Sequence, residues 1–147
     1  MTTSNLTTLG LRHLALNVND PQLSKKFYTD VLKMKVEWEP DADNVYLTSG
    51  GQDNLALHRA PPPSASSSAP GNSDATASRL MDHIGFALAS PADVDAWFGW
   101  MTSRGVKILR DIKTHRDGAR SFYISDPDGV VIQMIYHPPI SAQALIK

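Results

Sequence analysis

The chain repeats itself, and the repeat constrains its fold more than any other feature. Leu11-Arg12-His13-Leu14-Ala15-Leu16-Asn17-Val18 is a short, mostly apolar run, as a well-buried strand would be. Met81-Asp82-His83-Ile84-Gly85-Phe86-Ala87-Leu88 is its counterpart, with a histidine at the same place. A helix start follows each run: Asp20-Pro21 after the first and Ser90-Pro91 after the second. Both pairs join a capping side chain to a proline that the first helical turn accepts. Leu23, Phe27, Val31 and Tyr28 give the first helix an apolar face. Val94, Trp97, Phe98 and Met101 do so for the second, which Gly105 is placed to end. Strand-like segments then lie at 34–38, 44–48 and 54–58, and again at 106–110, 121–125 and 130–136. The turn signals between them are Ser49-Gly50-Gly51 and Asp126-Pro127-Asp128-Gly129. Both halves therefore read βαβββ, which predicts an α+β fold of two modules, neither able to bury its sheet face alone.

The boundary between the halves is compositional. Pro61 to Ser78 is built almost wholly from Pro, Ser and Ala and holds no aromatic or large aliphatic side chain. Such a stretch buries too little apolar surface to offset the entropy of ordering it, so it is expected to be a flexible linker. Within one domain spanning 1–147, module 1 is 11–60, the linker 61–78 and module 2 80–138.

Composition removes several function classes. With 14 basic and 15 acidic side chains, the net charge of −1 carries no excess that would favour nucleic acid or an anionic membrane. There is no cysteine, hence no disulfide, iron–sulfur cluster, cysteine zinc site or thiol nucleophile. No apolar stretch nears the roughly 20 residues that span a bilayer. Met1–Gly10 lacks the basic start and apolar run of a signal peptide, so the expected location is cytoplasmic.

The chain resembles the vicinal oxygen chelate superfamily of glyoxalases, bleomycin and fosfomycin resistance proteins, and extradiol dioxygenases. The resemblance rests on Leu11–Val18 with His13, on Phe27-Tyr28-Thr29-Asp30-Val31-Leu32, on Asp82-His83-Ile84, and on Asp126-Pro127-Asp128-Gly129-Val130-Val131-Ile132-Gln133. It implies paired βαβββ modules curled into a cup-shaped half-barrel around a divalent metal ion (Fe, Mn, Ni or Zn). By the same resemblance, His13 and His83 supply metal ligands from the first strand of each module, and Gln133 from the last strand of the second. Gln133 stands where glutamate is usual, and Ala56 stands where glyoxalases have a second glutamate. The chain's two glutamates, Glu37 and Glu39, fall on neither position. The family implies a homodimer whose partner is a small molecule.

A set of two histidines and one glutamine is neutral, so a bound ion keeps its full charge and Lewis acidity but loses carboxylate attraction; Gln133 either ligates or hydrogen-bonds within a metal-free cup. Isomerisation of the lactoylglutathione lyase kind needs a carboxylate base, which neither position supplies, so that activity is disfavoured. Tyr123 stands ten residues before Gln133, as a tyrosine does in extradiol dioxygenases, and His115 resembles their acid/base histidine. Alternation puts Ser121, Tyr123 and Ser125 on one strand face, so Tyr123 either holds a substrate oxygen or packs as an ordinary strand aromatic. His58 shares a face with Ala56; it either supplies a third imidazole to the ion, contacts substrate, or meets water at the sheet end. Two readings follow. The first is a metal-dependent enzyme, dioxygenase-like or lyase-like, with Tyr123 and His115 catalytic and His58 and Tyr123 binding substrate. The second is a non-catalytic protein that sequesters a small aromatic molecule.

Overall fold

The protein is described here by a computed structural model, which covers residues 8–9, 11–62 and 81–141. From position 63 onward the expected linker lies outside the described residues. The elements run β1 (His13–Val18), α1 (Pro21–Asp30), β2 (Lys35–Asp41), β3 (Asn44–Thr48) and β4 (Asn54–Arg59), then β5 (Ile84–Ala87), α2 (Pro91–Ser103), β6 (Ile108–Thr114), β7 (Arg120–Ser125), β8 (Val131–Tyr136) and the short α3 (Pro138–Ser141). The chain divides into two compact units that part between Pro61 and Pro62.

Each unit is a four-stranded mixed sheet carrying a helix on one face. The strand orders are β1-β4-β3-β2 and β5-β8-β7-β6, with the outer pairs β1/β4 and β5/β8 parallel. Strand alternation sorts each sheet into an inner and an outer face. In the first unit Leu16, Val18, Val45, Leu47, Leu55 and Leu57 are buried, and α1 packs on β3 and β4. In the second, Phe122, Ile124, Ile132 and Met134 are buried beneath α2, with Phe98 and Phe122 edge to face at 5.2 Å. The helices begin at the expected caps: Asp20 accepts from the Gln22 N–H, and Ser90 from that of Asp93. One face differs from expectation. Helix α1 turns Pro21, Ser24 and Tyr28 inward and leaves Leu23 54% exposed. Burying the whole Tyr28 ring removes more apolar surface from water than burying Leu23 would.

Strands β2 and β6 run past their expected ends by the same device. The β2/β3 ladder pairs Val36 with Leu47, Trp38 with Tyr46 and Asp41 with Asn44, so β2 holds extra residues at two places. The β6/β7 ladder repeats this with Ile108–Ile124, Arg110–Tyr123 and Lys113–Ser121. These bulges bend the strand and re-aim side chains, which shapes both candidate sites. The turn before β8 is held by Asp126, whose carboxylate accepts from the Asp128 and Val130 N–H groups, while Gly129 takes a φ of 89° that other residues resist.

Candidate functional site

The sheet face away from each helix carries the chemistry. In the first unit it presents His13 and Ala15 from β1, Asn54, Ala56 and His58 from β4, and Asn44 and Tyr46 from β3, because paired residues share a face. His13 Nδ1 lies 2.7 Å from Asn54 Oδ1, and Asn54 Nδ2 donates to Glu37 Oε2 at 2.7 Å. Glu37 reaches this face because it is the extra residue of the first β2 bulge. It is therefore no ligand by position, yet it anchors the amide that anchors His13. His58 stands four rungs beyond the His13–Asn54 pair, about 13 Å along the ladder. Two parallel side chains at that spacing cannot share one ion, whose bonds to imidazole are about 2 Å.

The second unit gathers the remaining candidates. Gln133 pairs laterally with Gly85 on one side and Tyr123 on the other. The His83 ring meets the Tyr123 ring edge-on at 5.4 Å, and the Arg110 guanidinium lies over that ring at 4.9 Å. His83 Nδ1 lies 2.5 Å from Asp82 Oδ1. The hydrogen bond from His83 holds the Asp82 carboxyl below its ordinary 3.8, so the group is an ionised acceptor. An acceptor at Nδ1 leaves Nε2 as the nitrogen open to a cation, the usual posture of a metal-binding histidine. On the other side of Gln133, its Nε2 donates to the buried Ser121 hydroxyl, which also lies 3.1 Å from His115 Nε2. Phe122 and Ile124 point into the core, so Ser121 and Tyr123 occupy the opposite face, as alternation predicts.

A cavity of about 600 Å³ opens on this face, lined by Gly85, Ala87, His115, Gln133, Ile135 and His137 among others. That volume suits a small molecule. Gly85 and Ala87 keep it open by contributing almost no side chain. His83 and Tyr123 are not part of its lining, whereas Gln133, the ladder partner of Tyr123, is.

The donor set fits a divalent ion in chemistry, though not in charge. Among the described residues no three His, Asp or Glu side chains group closely enough to hold an ion. A triad here has to use an amide, and Gln133 has one: its nitrogen is committed to Ser121, which leaves the oxygen as donor. Register supports the equivalence of the two last strands. Ala15 pairs with Ala56 as Gly85 pairs with Gln133, each two residues after the histidine of its strand. Sequence reasoning missed Asn54, Asn44 and Glu37; the asparagines at two strand starts were the available signal.

The comparisons with known proteins agree with this fold. The chain is 26% identical over 123 residues to the metallothiol transferase FosB of Staphylococcus saprophyticus, covering 82% of this chain and 72% of that protein. Its fold is similar to lactoylglutathione lyase from Agrobacterium tumefaciens, with a TM-score of 0.68, 19% identity, and 88% and 94% of the two chains covered. It is also similar to TioX from Micromonospora sp. ML1, with a TM-score of 0.67, 19% identity, and 87% and 98% covered. No helix among the described residues is long and apolar enough to cross a membrane. The model of the Glyoxalase/Bleomycin resistance protein/Dioxygenase superfamily matches residues 10–134, and to that superfamily the chain belongs.

Proposed function

We propose that this protein is a divalent-metal-dependent enzyme acting on a small substrate with vicinal oxygens, by dioxygenase-like or lyase-like chemistry. The observation that carries the reading is the posture of its histidines. His83 is held at Nδ1 by Asp82, and His13 at Nδ1 by Asn54, so each keeps Nε2 for a ligand. His13, His83 and the Gln133 amide oxygen are the proposed metal donors. The ion, of the Fe, Mn, Ni or Zn class, would supply Lewis acidity that polarises adjacent substrate oxygens. The curated relative is named a metallothiol transferase, in keeping with a metal-dependent enzyme.

The chain's own groups define the rest. Tyr123, beside His83 and Gln133, offers a hydroxyl to a substrate oxygen. His115, tied through Ser121 to Gln133 and lining the cavity, is placed to exchange a proton with a molecule held there. His58 contacts substrate from the first unit. Ala56 and Gln133 offer no carboxylate base, which argues against lactoylglutathione lyase activity. A homodimer and a cytoplasmic location belong to the same proposal. A second reading, sequestration without turnover, is favoured by the Trp38–Tyr46 stack, of which Trp38 is 59% exposed.

Elemental analysis by plasma mass spectrometry tests the enzyme reading, on protein purified without tag-bound metal and then offered Fe(II), Mn(II), Ni(II) or Zn(II). About one ion per chain is expected, lost in both His13→Ala and His83→Ala while circular dichroism is unchanged. Metal content equal to wild type in both variants would sink the assignment.

A further inference from the structure

His58 is held as His13 is, by an asparagine that a carboxylate orients. Its Nδ1 lies 2.7 Å from Asn44 Oδ1, and Asn44 Nδ2 donates to both carboxylate oxygens of Asp41, at 2.9 and 3.1 Å. A carboxylate only accepts, so the amide nitrogen has to face Asp41 and the amide oxygen has to face the ring. His58 Nδ1 must then carry the hydrogen, and Nε2 of the neutral ring holds the lone pair. The Asn44 hydrogen bond also keeps the Asp41 carboxyl below its ordinary 3.8, so the anchoring acceptor is ionised at neutral pH.

Aromatic surface stands beside this fixed acceptor. Tyr46 meets the His58 ring edge-on, with centroids 5.6 Å apart and planes at 78°. Trp38 stacks on Tyr46 at 5.1 Å and 26°, re-aimed to this face by the β2 bulge and left largely uncovered. Because His58 is about 13 Å along the sheet from His13, an acceptor there serves something other than His13's ion. We infer that Trp38, Tyr46 and His58 form a subsite for a small planar ring bearing a hydrogen-bond donor, with the ring against the Trp38–Tyr46 pair and the donor directed to His58 Nε2. This deepens the reading of His58 as a substrate contact, naming the substrate class and the accepting atom. It uses groups of the first unit alone and does not depend on a bound ion.

The test uses the full chain stripped of metal with a chelator, titrated by NMR with phenol and with anisole, which lacks the O–H. Phenol is expected to bind roughly three- to tenfold more tightly, the margin of one net hydrogen bond, with shifts at Tyr46 and His58. His58→Phe should remove that margin and leave anisole binding intact, and Trp38→Ala should weaken both probes. Imidazole 15N shifts should show His58 protonated at Nδ1 in the wild type, and no longer so in Asn44→Ala. Equal binding of the two probes, no shift with either, a margin surviving in His58→Phe, or a wild-type ring protonated at Nε2 would each overturn the subsite. With metal removed, none of these outcomes bears on the metal proposal.

Discussion

The two units share one scaffold down to the individual bulge, yet present different chemistry on it. Trp38 and Arg110 occupy the same rung of equivalent ladders, opposite Tyr46 and Tyr123 respectively. In the first unit the tyrosine is covered by an indole, in the second by a guanidinium. Ala56 and Gln133 likewise sit at one rung, and one is a fully buried methyl while the other is an amide linked to Ser121 and His115. The histidines diverge in their support. His13 leans on an amide that Glu37 anchors in turn, whereas His83 leans on Asp82, whose side chain is 93% exposed. A duplicated fold thus keeps the helix-covered face apolar, because packing punishes polar change there, and lets the opposite face diverge in chemistry.

The strongest test of the shared scaffold lies in its core. Leu47 and Ile124 occupy the same ladder rung in the two units, and both are fully buried. Truncating either to alanine is expected to cost about 2–5 kcal/mol by denaturant unfolding. A loss below about 1 kcal/mol at one of them would show that the two cores are not equivalent.

Support of the histidines should separate the units next. Asn54→Ala is expected to weaken metal affinity about 10–100-fold, the usual cost of losing the partner that orients a ligating imidazole. Asp82→Ala should cost less, since water can replace an exposed carboxylate as acceptor. Competition titration against a chromogenic chelator measures both. Equal losses would mean that burial of the support does not matter.

The smallest effect concerns acid stability of the first unit. Burial pushes the Asp53 carboxyl up, but hydrogen bonds from the Ser49 N–H and the Thr48 hydroxyl outweigh it and leave the group below its ordinary 3.8. A depressed value contributes stability above the unfolded value and loses it as pH falls through the folded one. Asp53 therefore supports the β3–β4 turn fully at pH well above its ordinary 3.8 and loses that support progressively as pH falls below it. Screening by solvent holds the size to under about 1 kcal/mol. Urea midpoints at pH 5 and pH 3 check it, with a smaller difference expected in Asp53→Asn.

Much of the fold was legible in local patterns. Histidine-bearing apolar runs, capped prolines and period-two segments announced βαβββ twice, and alternation placed Phe122 and Ile124 inward, opposite Tyr123. These signals act over a few residues, so no partner strand is needed to read them. The site was legible only in part. Counting residues gave Glu37 no ligand position, and only the bulge opposite Tyr46 turns it toward Asn54 and His13. Alternation likewise put His58 on the face of Ala56, but its distance from His13 depends on how β1 and β4 pair.

By itself, then, the sequence determined the duplication, the helices, the strand faces and the neutral character of the candidate metal set, because residue type and spacing along one segment decide these. Tertiary structure decided which asparagine meets which carboxylate, which ring nitrogen each histidine keeps open, and where Trp38 and Glu37 point. Those outcomes depend on strand register and on bulges, where one ladder partner faces two residues of the other strand, and pairing between distant segments is what sets them.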